Sequence, residues 1–414
     1  MAVYYGVLTV LALGAGILCW SGLSRWKSIL FGFAALLLLG GLAAFRYAVG
    51  YDYTHIYVPL YFQTLRDDLS ILGSVHEPGF MLLEKLLLFF TPNYQALFIA
   101  TSFLIYGLTF YYYWKFSPNI CLSILIFLLL GQYYSSMNFV RQSMAVAITL
   151  FAVPFLQKRR LAAYLLIILL AALFHKSALI MIPFYFINLI PVSWYTLPVY
   201  TLVTAVAYLL SGKVVAFVTR FWYSGYGEPD GEVISAFPFP FTISMAIAFA
   251  LLFGGYKRLR SLNRSYYIYV NYAFFALFFV LMGTRIAILD RFSSYFDAIL
   301  PVALPLLIQE PEDSKAAEDA SPALLPHTRL SLRSSILLGG ILIWGAAFHQ
   351  YVLMKDNHAV VPYRCIFNQP VYQEYTEGLK DDPIGAWEKL LIHWAAGEID
   401  ILPEQLLAVP EDPA

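Results

Sequence analysis

The chain has 414 residues, is 60% hydrophobic and only 13% charged, and sets 26 Lys and Arg against 26 Asp and Glu. A mean hydropathy of +0.68, with apolar runs long enough to cross a bilayer recurring throughout, excludes a soluble domain. The zero net charge says nothing about partners, and nothing suggests nucleic acid, since the basic residues are scattered among turns instead of forming one patch. The expected class is all-α: a polytopic transmembrane helical bundle in a lipid bilayer.

The N-terminus, MAVYYG, lacks the positive stretch of a cleaved signal peptide, so the first apolar run reads as a retained span. Apolar runs lie near 3–20, 28–45, 95–114, 119–134, 142–157, 161–174, 178–190, 195–210, 241–256, 267–283, 293–308 and 335–354, roughly twelve spans. With the N-terminus outside, the inner connections carry Arg25 and Lys27, Lys115, Lys158–Arg160, the group Lys257, Arg258, Arg260 and Arg264, and finally Lys315, Arg329 and Arg333. The sharpest basic turns thus share one side, as cytoplasmic turns do. The acidic loop 309–334 reads as a disordered cytoplasmic linker.

The outer side receives Arg46–Pro92, the turn at Arg141, the Gly-, Pro- and aromatic-rich Ser211–Pro240, the stretch GTRIAILDRFSSYF, and everything after the last span. Phe80–Phe90 is too short to span and carries Glu84 and Lys85, which predicts an interfacial or re-entrant helix. Pro78 suits its first turn, and Glu77 lies beside its positive end. The 31 Tyr and 33 Phe are abundant enough to line both interfaces. Residues 1–370 form the membrane domain and 371–414 an outer tail. There Trp387, Leu390, Leu391 and Trp394 share one helix face, suited to the membrane surface or to packing on the loops.

One hairpin focuses the chemistry. Between Asn138 and Ile180, two apolar helices flank Lys158-Arg159-Arg160, with Arg141 17 residues before the basic turn and His175 15 residues after it. At ~1.5 Å per residue both stand roughly 22–26 Å from that turn, near the opposite face. The outer side also gathers Arg46, Asp52, Glu77, Arg285, Asp290, Arg291 and Arg364. Arginines there run against the positive-inside rule, and ionisable groups near membrane depth are functional candidates.

A guanidinium fork grips phosphate through two parallel hydrogen bonds, as the head group of a polyprenyl diphosphate would require. His175, Asp52 and Glu77 are alternative general bases. Glu77 is also read as a helix cap, and Arg285, Asp290 and Arg291 as an ion-paired structural cluster. No HExxH, Cys/His metal set, GxSxG or phosphate-binding glycine loop occurs, and Cys19, Cys121 and Cys365 have no metal-site or disulfide spacing. The expected enzyme uses no cofactor and no built-in metal. It works outside the membrane on a lipid-linked donor.

Six motifs in this order carry a resemblance: R-x3-G-x-D (Arg46, Gly50, Asp52), EPGF (Glu77–Phe80), N-F-x-RQ (Asn138–Gln142), FHKSA (Phe174–Ala178), DRFSSYF (Asp290–Phe296) and VPYR (Val361–Arg364). From about 40 to 370 the chain resembles the EpsG family, Wzy-like membrane proteins that polymerise capsule, exopolysaccharide or O-antigen repeat units. The resemblance implies a bacterial cytoplasmic membrane protein acting at its outer face. A glycan on undecaprenyl diphosphate would pass to the end of a new lipid-linked repeat unit, in the company of a flippase and a chain-length regulator. It implies catalytic roles among His175, Asp52, Glu77 and Asp290. Arg46, Arg141, Gln142, Arg285, Arg291, Tyr295, Tyr363 and Arg364 would bind diphosphate and glycan. The competing readings are a flippase or exporter, a glycosyltransferase using a polyprenyl-phosphate sugar, and a ligase of finished glycan. A flippase needs polar residues through the whole bundle depth, whereas these spans are nearly free of charge at their middles.

Overall fold

In hydrocarbon the backbone must satisfy its own N–H and C=O groups, so apolar sequence of this length becomes helix. The structure, a computed structural model, describes residues 1–20, 22–66, 77–211, 239–285, 287–309 and 330–393. Two long helices, α1 (Ala2–Trp20) and α2 (Arg25–Ala44), lead into α3 (Val58–Leu65) and the short α4 (Pro78–Phe90). Helix α5 (Gln95–Phe116) returns to a bent pair, α6 (Ile120–Leu129) and α7 (Gln132–Asn138), which meet at 62°. The hairpin follows as α8 (Val140–Gln157) and α9 (Leu161–Ala172), then α10 (Lys176–Ile187) and α11 (Leu197–Leu209).

After residue 238 come α12 (Phe239–Gly254) and α13 (Tyr256–Leu262), bent by 59°. They precede α14 (Arg264–Gly283), the single turn α15 (Ala287–Asp290), α16 (Arg291–Ile308) and α17 (Leu332–Lys355). The tail supplies α18 (Pro370–Gly378) and α19 (Pro383–His393). Among the described residues seven helices are long and apolar enough to cross a membrane, or nine if each bent pair is one span. Helices α9, α10 and α11 are apolar but shorter. Helices α14 and α16 sit at the centre, while α1 and α17 leave most of their surface outward.

The two ends of the bundle differ in chemistry. At one, Ser24 caps α2, Asn119 caps α6 and Ser331 caps α17, each accepting a first-turn N–H. Arg25 lies 5.8 Å from the Trp114 ring there. The basic hairpin turn is sharp because Arg159 takes a left-handed φ of 55°.

At the other end the connecting segments are stitched together. Residues 45–51 pair with 358–366 through Tyr47 N–H to Arg364 O (3.0 Å), Gly50 N–H to Ala359 O (2.8 Å), Tyr51 N–H to His358 O (3.3 Å) and Ile366 N–H to Phe45 O (3.0 Å). The N-terminus joins them, since the Tyr4 hydroxyl donates to Val360 O at 2.8 Å.

Helix α4 begins as expected, with Pro78 in its first turn. It is short and leaves Leu82, Leu86, Phe89 and Phe90 exposed on an apolar side. The tail packs on the loops: Trp387 is fully enclosed against Phe62, Tyr94 and Tyr375, and Leu390 is buried beside it. Trp394, the acidic stretch 310–329 and most of Ser211–Pro240 lie outside the described residues.

Candidate functional site

Two of the motifs meet first through backbone. Gly50 sits at φ +99°, where a Cβ would stand 3.0 Å from Met137 O, so only glycine lets the two segments close. Two residues on, the Asp52 N–H donates to the Asn138 side-chain oxygen at 2.8 Å. Asp52 is thereby fixed over the start of α8, which carries Arg141.

Glu77 makes the second junction. It stands at the N-cap position of α4, yet its carboxylate makes no bond to that helix. One oxygen accepts from Arg141 Nη1 at 3.0 Å, and the other accepts the Lys176 N–H at 3.2 Å, at the start of α10. The ion pair is largely desolvated, with side-chain exposures of 15% for Arg141 and 8% for Glu77. Next to it the Gly79 N–H donates to Leu173 O at 2.8 Å, and a Cβ at 79 would lie 2.8 Å from that oxygen. EPGF, the Arg141 turn and FHKSA therefore form one knot. The hairpin's Arg141 and His175 share a depth because Glu77 bridges their helices.

His175 occupies the N-cap of α10. Its Nδ1 accepts the Ser177 N–H at 3.4 Å and lies 2.5 Å from the Ser177 hydroxyl, which meets Tyr295 Oη at 2.7 Å. Burial lowers the imidazole to about 4; Arg141, Arg291 and Lys176 add to this, against the pull of Glu77. The ring is neutral at pH 7, and the nitrogen that could take a proton is already the cap. His175 in this geometry positions α10 and is poorly placed to act as a base.

Asp52 has the opposite character. Among the described residues no donor reaches its carboxylate, and burial raises it to about 6 although Arg291 and Arg141 both pull it down. Arg291 is exposed; its guanidinium lies 4.7 Å over the Phe139 ring and meets no carboxylate among the described residues. Asp290 is also raised by burial to about 6, with Arg291 opposing. The expected ion-paired cluster of Arg285, Asp290 and Arg291 does not form: Arg285 is exposed and stacks on Tyr208 at 4.7 Å.

The remaining candidates differ in exposure and in hydrogen bonding. Arg46 is 1% exposed. Its guanidinium donates to Val49 O and Met137 O, each at 3.1 Å, and to Ala43 O, and it lies 4.6 Å over Phe98. Three of its five N–H donors are spent on backbone carbonyls and the side chain is enclosed, so in this structure Arg46 staples the end of α2 to that of α7. Tyr363 donates to Leu42 O at 3.0 Å, which ties it to α2. Arg364 is exposed and joins the site only through its backbone. Gln142, buried, donates to Arg291 O at 2.5 Å and Ser294 Oγ at 2.9 Å, and so orients the arginine.

Three further residues belong to this end. The Tyr57 hydroxyl accepts the Arg141 N–H at 3.3 Å and is raised to about 12 by burial and by Asp52. Glu84, fully buried on α4, accepts from Thr64 at 3.2 Å and is raised by burial to about 8, which keeps it protonated beside Arg141. His358 lies next to Arg291. For Tyr57 and His358 the sequence gives no signal beyond a polar residue in an outer loop. Glu84 signals itself as a charge inside an apolar helix.

Helices of this length around an end cluster of Arg141, Glu77, Asp52 and Arg291 define a multi-pass membrane protein with one polar working face. A sequence model of the EpsG family matches residues 29–316. The chain belongs to the EpsG family. No curated protein and no solved structure matches it. Family membership and the helical membrane fold together fit a membrane protein of polysaccharide biosynthesis.

Proposed function

We propose that the protein polymerises lipid-linked oligosaccharide repeat units at the outer face of the bacterial cytoplasmic membrane. The observation that carries the reading is Asp52: a carboxylate without a partner among the described residues, raised to about 6, beside Arg141 and Arg291. A general base near neutral pH next to the exposed guanidinium of Arg291 is the pairing that glycosyl transfer from a diphosphate donor needs.

Asp52 takes the proton of the acceptor sugar hydroxyl as its oxygen bonds to the anomeric carbon of the donor glycan. The bond from that carbon to phosphate oxygen breaks, and undecaprenyl diphosphate leaves with the electron pair. Arg291, exposed, meets the departing diphosphate. Arg141, held by Glu77, adds fixed positive charge behind it. Asp290 lies next to Arg291 in the chain, and His175 and Tyr295 hold the wall through Ser177.

The membrane arrangement follows the same reading. The three shorter helices α9, α10 and α11 complete about twelve spans, and both termini lie outside. The test is the glycan of a strain lacking the protein. Single repeat units on lipid should accumulate and long polymer vanish. Persistent long chains would refute polymerase activity, and repeat units trapped inside would favour a flippase.

A further inference from the structure

The central helix α16 is walled in, packing against α6, α8, α12, α14 and α17. Along its whole length only Arg291, Ser294 and Asp297 are not buried: Arg291 is exposed, and Ser294 and Asp297 are partly exposed. Their spacing of three makes one row along the helix, ~9 Å long from Arg291 inward. A helix ringed by others shows exposed atoms only where a gap runs beside it.

Helix α7 supplies the other side of that gap. Gln132, Ser135 and the cap residue Phe139 are partly exposed, while the five residues between them are all buried. The two rows are pinned together at both ends. Gln132 Nε2 donates to Asp297 O at 2.8 Å and to Asp297 Oδ1 at 3.3 Å, just past the 62° bend that separates α6 from α7. At the other end the Arg291 guanidinium lies 4.7 Å over the Phe139 ring. Ser135 and Ser294 fall between these two pins. The crevice therefore opens at Arg291, on the working face, and ends at Asp297, beyond which α16 is buried throughout.

Its lining is rich in acceptors. The Ser135 hydroxyl donates to Gln132 O at 3.1 Å and the Ser294 hydroxyl to Arg291 O at 2.8 Å, so both hydrogens are spent on backbone. Oxygen lone pairs are left for a ligand, on the Asp297 carboxyl and on Ser135 Oγ. Such a lining repels phosphate and suits a polyol, whose hydroxyls bring the missing hydrogens. We propose that this crevice holds the sugar of the donor glycan next to the diphosphate, with Asp297 and Ser135 accepting its hydroxyl hydrogens. The sugar's place on the donor side rests on the polymerase reading, in which Arg291 meets the diphosphate; the sugar-binding chemistry does not. A sugar without the matching hydroxyls leaves enclosed acceptors unpaired, so the crevice also selects the sugar.

The probe is the repeat-unit oligosaccharide cut from the polymer of the producing cells, free of lipid and phosphate. Ser135→Cys is placed in the full-length protein, purified in detergent, with Cys19, Cys121 and Cys365 replaced by alanine. A small water-soluble methanethiosulfonate should modify it, whereas Met137→Cys, on the buried side of α7, should stay unmodified. The oligosaccharide should slow the reaction at Ser135→Cys; inorganic phosphate and sodium chloride should not. In equilibrium dialysis Asp297→Ala should weaken oligosaccharide binding roughly three- to tenfold, the loss of one hydrogen bond. Its fold is expected to hold, since Gln132 keeps the backbone oxygen of residue 297.

An unreactive Ser135→Cys of wild-type melting temperature would overturn the crevice. A reaction that the oligosaccharide leaves unchanged, or that phosphate or sodium slows instead, would overturn the sugar as its occupant. Unchanged binding by a folded Asp297→Ala would overturn it too. Polymer made by wild-type protein whose crevice the oligosaccharide never protects would reject the subsite and leave the polymerase standing. Protection in a protein that makes no polymer would uphold the subsite and reject the polymerase.

Discussion

Glu77 joins three elements through one carboxylate, and its removal gives the sharpest test of the knot. Its pair with Arg141 spans 3.0 Å with both side chains largely desolvated, at 15% and 8% exposure. Deleting one partner of such a pair leaves the other charge buried, which costs roughly 3–5 kcal/mol. The Lys176 N–H also loses its acceptor at 3.2 Å, a helix-capping loss of about 1 kcal/mol. Glu77→Ala is therefore expected to cost more than Glu77→Gln, which keeps an oxygen for Lys176. Arg141→Met should cost as much as the ion-pair term alone. The double variant should lose less than the sum of the singles by roughly 1–3 kcal/mol. Unfolding of the purified protein in mixed detergent micelles, followed across a titration of denaturing detergent, measures all four. Additivity of the two single variants within about 0.5 kcal/mol would refute the coupling.

Four other outcomes follow. Polymerisation should fall about tenfold per pH unit below about 6, where Asp52 takes up its proton. It should be level above that, and Asp52→Asn should cost roughly 10²–10⁴-fold; a pH-independent rate would move the base elsewhere. The raised carboxyl binds its proton more tightly folded than unfolded, so its share of stability is present at low pH. That share is lost as pH rises from the ordinary 3.8 through about 6, which a melting series checks. Arg46→Lys should strand carbonyls of Ala43, Val49 or Met137, at about 1–3 kcal/mol each. Low membrane levels are expected; a well-folded, inactive Arg46→Lys would return Arg46 to substrate binding. A membrane-impermeant thiol reagent should label half-buried Cys365 in intact cells, and a cysteine at Ser261 only after permeabilisation. The reverse pattern would put the working face inside.

The hairpin was legible because charge is rare in this chain: one basic triplet sets the turn, and the helical rise places Arg141 and His175 opposite it. Helix α4 was legible for the same reason, as were Pro78 and the docking face of Trp387. What the sequence could not reveal is where each polar group spends its hydrogen bonds. Arg46 and Arg291 look alike in outer loops, yet one is consumed by three carbonyls and the other stands open. Glu77 sits beside its own helix in sequence but caps another 99 residues later. His358 enters through a backbone pairing with Tyr51 and Tyr57 through a hydroxyl that accepts the Arg141 N–H, and no local pattern marks either. The short helices α9 to α11 show why apolar runs alone leave the number of spans open.

The most direct measurement reconstitutes the purified protein in lipid nanodiscs with its undecaprenyl-diphosphate-linked repeat unit and follows glycan length and lipid product together. The expected result is a ladder of glycans growing by whole repeat units. One undecaprenyl diphosphate should be released for each linkage, and both should be lost in Asp52→Asn. A wild-type protein that leaves the repeat unit unextended, or lengthens it by single sugars only, would contradict polymerisation at this site.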